Sequence, residues 1–202
     1  LAVTSQELSA APSLSTAAAP AHSCGLIDFV FLQDLSGSYI DDLPILKAQV
    51  PNLIAAIEGT SPDANFAVAS FIDKPTGSFG APTDYVYQTH LALSADNAAV
   101  ISTLNSLATR NGSDGDEAQL EGLLQTALRI SEMGYRTDST RIVMLSTDAG
   151  YHLAGDFSSQ PPNNLDTVLD GTPPGTGEDY PTIEGLRAAL IAANIFPVFS
   201  VT

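Results

Sequence analysis

The chain has 202 residues, of which 44% are hydrophobic, so it can bury one sizeable core, and its length is common for a single α/β domain. Seven Lys and Arg residues face 23 Asp and Glu residues, and the formal net charge of −16 disfavours nucleic acid and acidic membrane surfaces as partners and favours cations. The single cysteine, Cys24, excludes a disulfide framework and the usual cysteine-based zinc site, and no apolar run is long enough for a membrane span.

The beginning of the chain differs in composition from the rest. Residues 1–24 are rich in Ala, Ser and Pro and have no sustained apolar period, which is typical of a linker or a loosely packed arm. From residue 25 onward, short apolar runs alternate with longer helical patterns. We therefore predict an arm or linker over 1–24 and one folded domain over 25–202.

Apolar runs and helical periods predict the elements of this domain. In chain order they are a strand at 25–33, a helix at 41–60 with a kink at Pro51, a strand at 65–72, an edge strand at 84–93, a helix at 95–108 capped by Ser94, a helix at 117–133, a strand at 140–147, a helix at 181–194 and a strand at 195–202. Strands that alternate with helices indicate an α/β fold with a doubly wound, mostly parallel sheet and helices on both faces.

Aspartate follows three of the predicted strands. Asp34, Asp73 and Asp148 each stand directly after an apolar run. In a parallel sheet the carboxyl ends of the strands meet at one edge, and ligands collect there. One aspartate in such a place is typical of a helix cap or a turn. Three together are costly unless a cation or a proton compensates the like charges.

The stretch DLSGSYIDD after the first strand carries the most specific pattern. Asp34, Ser36 and Ser38 can point to one side of the loop and offer one carboxylate and two hydroxyl oxygens to a common centre. Oxygen ligands with few formal charges suit Mg²⁺, which keeps octahedral geometry and readily accepts a ligand from outside the protein. The motif predicts a magnesium site with an open position.

This motif is similar to the metal-ion-dependent adhesion site of von Willebrand factor A domains. Four stretches together resemble the I-like domain of integrin β subunits, namely DLSGSYIDD, SFIDKPTG, LSTDAGYHLAGD and the closing DYPTIEGLRAALIAANIFPVFSVT. The resemblance covers about residues 26–202 and implies the Rossmann-like fold of von Willebrand factor A domains.

The resemblance implies a row of three cation sites. The central Mg²⁺ site has the ligands Asp34, Ser36, Ser38 and Glu117, with Asp148 acting near the same ion through water. An adjacent Ca²⁺ site uses Asp41, Asp42 and the backbone carbonyl of Ser38. The third site uses Asp73, Asn111, Asp114, Asp116 and Glu117. For Asp41 and Asp42, the residues alone leave open a second interpretation, favourable charge at a helix N-terminus.

Three features depart from the integrin β pattern. The third site reads NGSDGDE, with Asn111 one residue early and Asp116 where the family has proline. A carbonyl of Asp116 could still serve there, and its carboxylate could add charge. The segment SFGAPTDYVYQTH lacks the long cysteine-closed loop that the family uses to choose ligands and to contact its α partner. After Thr202 the family continues into a final helix, which we expect to be absent from this domain.

The resemblance implies adhesion through a metal, without catalysis. An exposed Asp or Glu of a protein partner would bind Mg²⁺ at the open position next to Ser36 and Ser38, in an extracellular or cell-surface protein larger than this chain. An α-integrin-like partner is left open, and neither nucleic acid binding nor direct membrane insertion is expected.

Two alternative functions are weighed against adhesion. A purely structural module stiffened by Ca²⁺ suits the acidic composition equally well, and it would lack a metal position that accepts a carboxylate. A metal-dependent hydrolase would use a metal-activated water beside His152, which lies four residues after Asp148. A lone loop histidine is more often a surface or hydrogen-bonding residue, and the chain has no G-x-S-x-G, P-loop or HExxH motif.

Overall fold

The structure is a computed structural model that describes residues 25–202, so the predicted arm at 1–24 lies outside the described residues. Its elements in chain order are β1 (Ile27–Asp34), a 3₁₀ turn (Ser38–Ile40), α1 (Asp42–Glu58), β2 (Asn65–Phe71), β3 (Gln88–Ser94), α2 (Asn97–Ser106), β4 (Asp116–Glu117), α3 (Gln119–Leu128), α4 (Ile130–Met133), β5 (Thr140–Thr147), β6 (Gly150–Tyr151), α5 (Ile183–Ala192) and β7 (Ile195–Val201).

The central sheet has five strands in the order β3-β2-β1-β5-β7. Strand β3 runs antiparallel to β2, and the other neighbours are parallel. The predicted mostly parallel sheet with an edge strand is therefore confirmed. Because β1, β2 and β5 are parallel neighbours, the residues that follow them meet at one edge of the sheet, and β4 and β6 form a two-stranded parallel ladder of their own.

Both faces of the sheet are covered by helices. Every residue of β1 is buried, since its side chains point alternately into two cores. Phe29 and Phe31 pack on the side of α1 and α2, whereas Val30 and Leu32 pack on the side of α3 and α5. This arrangement explains the continuous apolar run of the first strand and confirms the doubly wound architecture.

Several predicted boundaries change. Pro51 lies inside α1 without ending it. Asp96, not Ser94, caps α2: its carboxylate accepts a hydrogen bond from the Ala99 N–H at 3.1 Å, and the Ser94 hydroxyl accepts one from the Asp96 N–H at 3.0 Å. The helix predicted at 117–133 is divided, because Arg129 leaves the helical conformation between α3 and α4.

A long connection of residues 152–182 runs from β6 to α5 without a helix or strand. Buried polar contacts hold it against the end of β2. The Lys74 ammonium, fully buried, donates to the carbonyls of Gly175 at 2.7 Å and Glu178 at 2.9 Å. It also lies 4.5 Å above the ring of Tyr180. Within residues 25–202, no helix combines the length and the apolar character needed to cross a bilayer.

Candidate metal centre

Asp34 occupies the last position of β1 and is fully buried. Its Oδ1 accepts a hydrogen bond from the Ser36 N–H at 2.7 Å, and its Oδ2 accepts one from the Thr147 hydroxyl at 2.6 Å. Burial raises the pKa of Asp34, and these hydrogen bonds offset part of that effect. The carboxylate is therefore held in one orientation at the carboxyl edge of the sheet.

A chain of hydroxyl groups leads from Asp34 toward solvent. The Ser36 and Ser38 hydroxyl oxygens lie 3.1 Å apart, and the Ser38 hydroxyl donates to Asp148 Oδ1 at 2.9 Å. Ser36 is buried and Ser38 is exposed. Gly37 between them lies so close to the neighbouring loop that a Cβ there would stand 3.1 Å from the Arg110 carbonyl oxygen. The structure thus brings Asp34, Ser36, Ser38 and Asp148 together.

Glu117 ends β4 and is only 2% exposed. Its Oε2 has no hydrogen-bond partner among the described residues. Burial, and after it the charges of Asp34, Asp73 and Asp114, raises the pKa of Glu117 to about 9. A buried carboxylate without a partner costs free energy unless a cation or a proton neutralises it, so this residue fits a cation site.

Asp73 and Asp114 meet at His152. Asp73 Oδ1 accepts hydrogen bonds from the Lys74 N–H at 2.7 Å and from the Tyr180 hydroxyl at 2.5 Å. Its Oδ2 lies 3.3 Å from His152 Nε2, but without hydrogen-bond alignment, whereas Asp114 Oδ2 is hydrogen-bonded to the same nitrogen at 3.2 Å. One ligand atom from each of the three residues lies within 4.8 Å of the others, a grouping that could hold a metal ion.

The His152 ring is 7% exposed and fixed on several sides. It stacks on Tyr180 with a centroid distance of 4.6 Å and meets Phe79 edge-on at 5.0 Å. Its Nδ1 lies 3.4 Å from Asp156 Oδ2. Burial alone would lower the pKa of His152, but the surrounding carboxylates outweigh burial and raise it to about 9. The sequence prediction did not include His152 among the metal ligands, although its place in the loop after β5 was a usable signal.

The remaining sequence-predicted ligands lie around this group. Asp41 and Asp42 stand at the start of α1, directly after the turn that contains Ser38, and Asp42 Oδ2 accepts a hydrogen bond from the Thr202 hydroxyl at 3.0 Å. Asp116 is exposed, and its carboxylate packs over Gly150.

An open cavity of about 290 Å³ lies over the central group. Its lining residues are Gly37, Ser38, Asn111, Gly112, Asp114, Gly115, Glu117, Asp148 and Ala149. The cavity therefore connects residues predicted for the central site with residues predicted for the third site. It also gives a ligand from solvent access to the Ser38 hydroxyl.

Known proteins share both the sequence pattern and the fold. Integrin beta-4 from Homo sapiens is 28% identical over 200 residues, integrin beta-2 from Bos taurus 28% over 199 residues, and integrin beta-PS from Drosophila melanogaster 26% over 199 residues. Each match covers 87% of this chain. The chain spans 11%, 26% and 23% of the lengths of these relatives, respectively.

Among solved structures, the pilus adhesin SpaC from Lactobacillus rhamnosus GG, in its open conformation, has a TM-score of 0.55 and 14% sequence identity. The match covers 86% of this chain and 23% of that chain, and it shows a similar fold alone. The family model of the integrin beta chain VWA domain matches residues 25–202, all the residues that the structure describes. The chain therefore belongs to the integrin beta chain von Willebrand factor A family.

Proposed function

We propose that residues 25–202 form a metal-ion-dependent adhesion domain that binds an acidic side chain of a protein partner. The observation that carries this proposal is the convergence of Asp34, Ser36, Ser38 and Asp148 beside the unpartnered carboxylate oxygen of Glu117. Mg²⁺ bound by this group would supply a positive position to which a partner's Asp or Glu coordinates. The open position would lie next to Ser36 and Ser38, on the side where Ser38 lines the cavity.

The protein's own residues prepare this site. Thr147 and the Ser36 N–H orient the Asp34 carboxylate before a cation arrives. Ser38 lies at the exposed end of the hydroxyl chain and lines the open cavity. Without metal, the neighbouring carboxyl groups of Asp34, Glu117 and Asp148 oppose one another's ionisation. The cation reduces the repulsion among these groups and attracts the partner's carboxylate, which makes partner binding dependent on metal.

The two flanking sites belong to the same proposal. Asp41, Asp42 and the Ser38 carbonyl would hold Ca²⁺ at the start of α1. The third group would comprise Asp73, Asn111, Asp114, Asp116 and Glu117. Both flanking cations would offset the formal net charge of −16, which otherwise repels an acidic partner.

The wider setting also follows the family. We place the domain at the cell surface or outside the cell, in a larger protein, with residues 1–24 as an arm beside it. The partner is a protein with an exposed Asp or Glu, and an α-integrin-like subunit is left open. The family's adhesion role supports binding without catalysis.

Calorimetric titration of Mg²⁺ and Ca²⁺ into chelator-stripped protein tests this function. A short peptide with one central Asp is then added, with the matched Asn peptide as its control. We expect Asp34→Asn to abolish Mg²⁺ uptake, and the exposed Asp63→Asn, far from the edge of the sheet, to leave it unchanged. Peptide heat should appear only with metal. Metal uptake without any peptide response would instead indicate a Ca²⁺-stiffened structural module.

The adjacent Ca²⁺ site needs its own variant. Asp41→Asn combined with Asp42→Asn should remove one Ca²⁺ and leave Mg²⁺ uptake intact. If the double variant keeps its Ca²⁺ and loses only helix stability, the two carboxylates serve the N-terminus of α1 and the assignment fails.

A further inference from the structure

The group Asp73, Asp114 and His152 has more acceptors than donors. His152 Nε2 carries at most one proton, and its hydrogen bond goes to Asp114 Oδ2 at 3.2 Å. Asp73 is fully buried, and its Oδ2, 3.3 Å from the same nitrogen, has no hydrogen-bond partner among the described residues. A cation between the three atoms would satisfy all of them at once.

The distances in this group resemble those of a coordination sphere. Ligand atoms at about 2.0–2.2 Å from a tetrahedral Zn²⁺ lie about 3.3 Å from one another. His152 Nε2 lies 3.2 Å from Asp114 Oδ2 and 3.3 Å from Asp73 Oδ2. Two of the three ligand pairs therefore already have the spacing that such an ion needs, and the third pair, Asp73 and Asp114, lies within 4.8 Å.

The imidazole decides which class of cation fits. Ca²⁺ and Mg²⁺ are bound in proteins by oxygen ligands. The His152 imidazole releases its proton when a metal binds. Its nitrogen with two carboxylates then suits first-row transition-metal dications, of which Zn²⁺ is the common case. A site that includes His152 is therefore expected to prefer Zn²⁺ over Ca²⁺.

Outer contacts fix these ligands as they do in known metal sites. His152 Nδ1 faces Asp156 Oδ2 at 3.4 Å, the carboxylate–histidine arrangement that orients a metal-binding imidazole. Tyr180 donates to the other oxygen of Asp73 and also stacks on the His152 ring. Two of the three ligands are thus held by one tyrosine.

We propose that Asp73, Asp114 and His152 bind a transition-metal dication such as Zn²⁺ at the third position of the row, where the family resemblance implies Ca²⁺. This inference deepens the proposed third site and rests on that part of the proposed function. It adds His152 as a ligand, and under it the third position binds a different metal from the two neighbouring positions.

Equilibrium dialysis with elemental analysis tests the proposal. Chelator-stripped protein is saturated with Mg²⁺ and Ca²⁺ and then titrated with Zn²⁺, and Co²⁺ absorption reports nitrogen ligation. We expect the wild type to bind one Zn²⁺ in addition, and His152→Gln to bind it at least ~100-fold more weakly. Asp156→Asn should weaken it by about 10–100-fold. His90→Gln is the matched control, because His90 lies on β3 and contacts the Ser70 hydroxyl.

Two further variants separate this proposal from the central site. Asp34→Asn should lose Mg²⁺ and keep Zn²⁺, so the proposed function and this inference can fail independently. Asp114→Asn, whose side chain is partly exposed, should reproduce the loss if His152→Gln does not fold. Unchanged Zn²⁺ affinity in folded His152→Gln would overturn the proposal, as would equal affinity of the wild-type third position for Ca²⁺ and Zn²⁺.

Discussion

The Thr147 hydroxyl donates a 2.6 Å hydrogen bond to Asp34 Oδ2, so the last residues of two neighbouring strands are joined at the candidate metal centre. The two side chains are buried at this contact. The sheet itself therefore orients the Asp34 carboxylate, the proposed Mg²⁺ ligand at the end of β1.

Replacement of Thr147 by Val keeps the shape of the side chain and removes the donor. Because Asp34 Oδ2 is then buried without a partner, we expect the metal-free protein to lose about 1–3 kcal/mol of unfolding free energy. Mg²⁺ affinity should also fall, since the carboxylate is no longer held. Urea unfolding and calorimetry measure the two effects. Thr140→Val, at the exposed start of β5, should change neither, and equal effects of both variants would contradict this explanation.

Metal removal should lower the Tm of the wild type and leave the Tm of a Glu117 variant unchanged. With its pKa raised from 4.5 to about 9 by burial and nearby carboxylates, Glu117 must take up a proton when the metal-free chain folds at pH 7. Glu117→Gln removes that cost, so in chelator we expect its Tm to exceed that of the wild type. Addition of Mg²⁺ should raise the Tm of the wild type and not that of the variant. Scanning calorimetry with and without Mg²⁺ checks this expectation, with the exposed Glu184→Gln as control. Equal Mg²⁺ stabilisation of both proteins would remove Glu117 from the central site.

The stability of the metal-free protein should depend on pH through Glu178. Burial, with nearby Glu121 and Asp170, raises the pKa of Glu178 from 4.5 to about 7 in the folded protein, although Lys74 and the Asn164 N–H oppose the shift. A raised folded-state pKa gives stability that is present below pH 4.5 and is lost as the pH rises through about 7.

The Glu178→Gln variant removes this titration. Between pH 5 and 8, we expect the wild type to lose about 1–3 kcal/mol relative to the variant, measured by urea unfolding in chelator. Glu184→Gln should follow the wild-type curve. Parallel curves for the wild type and Glu178→Gln would show that Glu178 does not cause the pH dependence.

Lys74 should be more important for stability than its charge suggests. Its ammonium donates hydrogen bonds to the carbonyls of Gly175 and Glu178 and lies over the Tyr180 ring. Lys74→Met therefore leaves two buried acceptors unpaired and removes the cation from the face of the ring. We expect a loss of about 2–4 kcal/mol and faster proteolysis within residues 152–182. Lys47→Met is the matched control, since Lys47 also donates to two backbone carbonyls at a less buried place.

Sequence alone predicted the strand-end positions because they depend on local patterns. Asp34 ends the apolar run of β1, and Ser36 and Ser38 follow it directly in the sequence. Because the three residues are so close along the chain, they could be grouped without knowledge of the fold. The shared edge of Asp34, Asp73 and Asp148 follows from parallel pairing, which the alternation of strands and helices indicates.

The environments of Glu117 and His152 could not be predicted in this way. Both lie at the short ladder between β4 and β6, whose strands have two residues each and no periodicity to detect. The buried charge of Asp28 inside β1 was also invisible to the apolar pattern, because its partner Arg136, 2.7 Å away, lies 108 residues further along the chain. Contacts of this kind depend on tertiary packing alone.

The candidate centre is built on two separate pieces of backbone, the central sheet and the ladder between β4 and β6. Asp34 belongs to an eight-residue strand that is buried along its whole length. The backbone N–H of His152 donates a hydrogen bond to the backbone carbonyl of Glu117 at 3.2 Å, so the two residues are joined to each other. The ladder that holds their backbones together has only two residue pairs. A displacement of this ladder would move Glu117 and His152 as one unit and leave Asp34 in place.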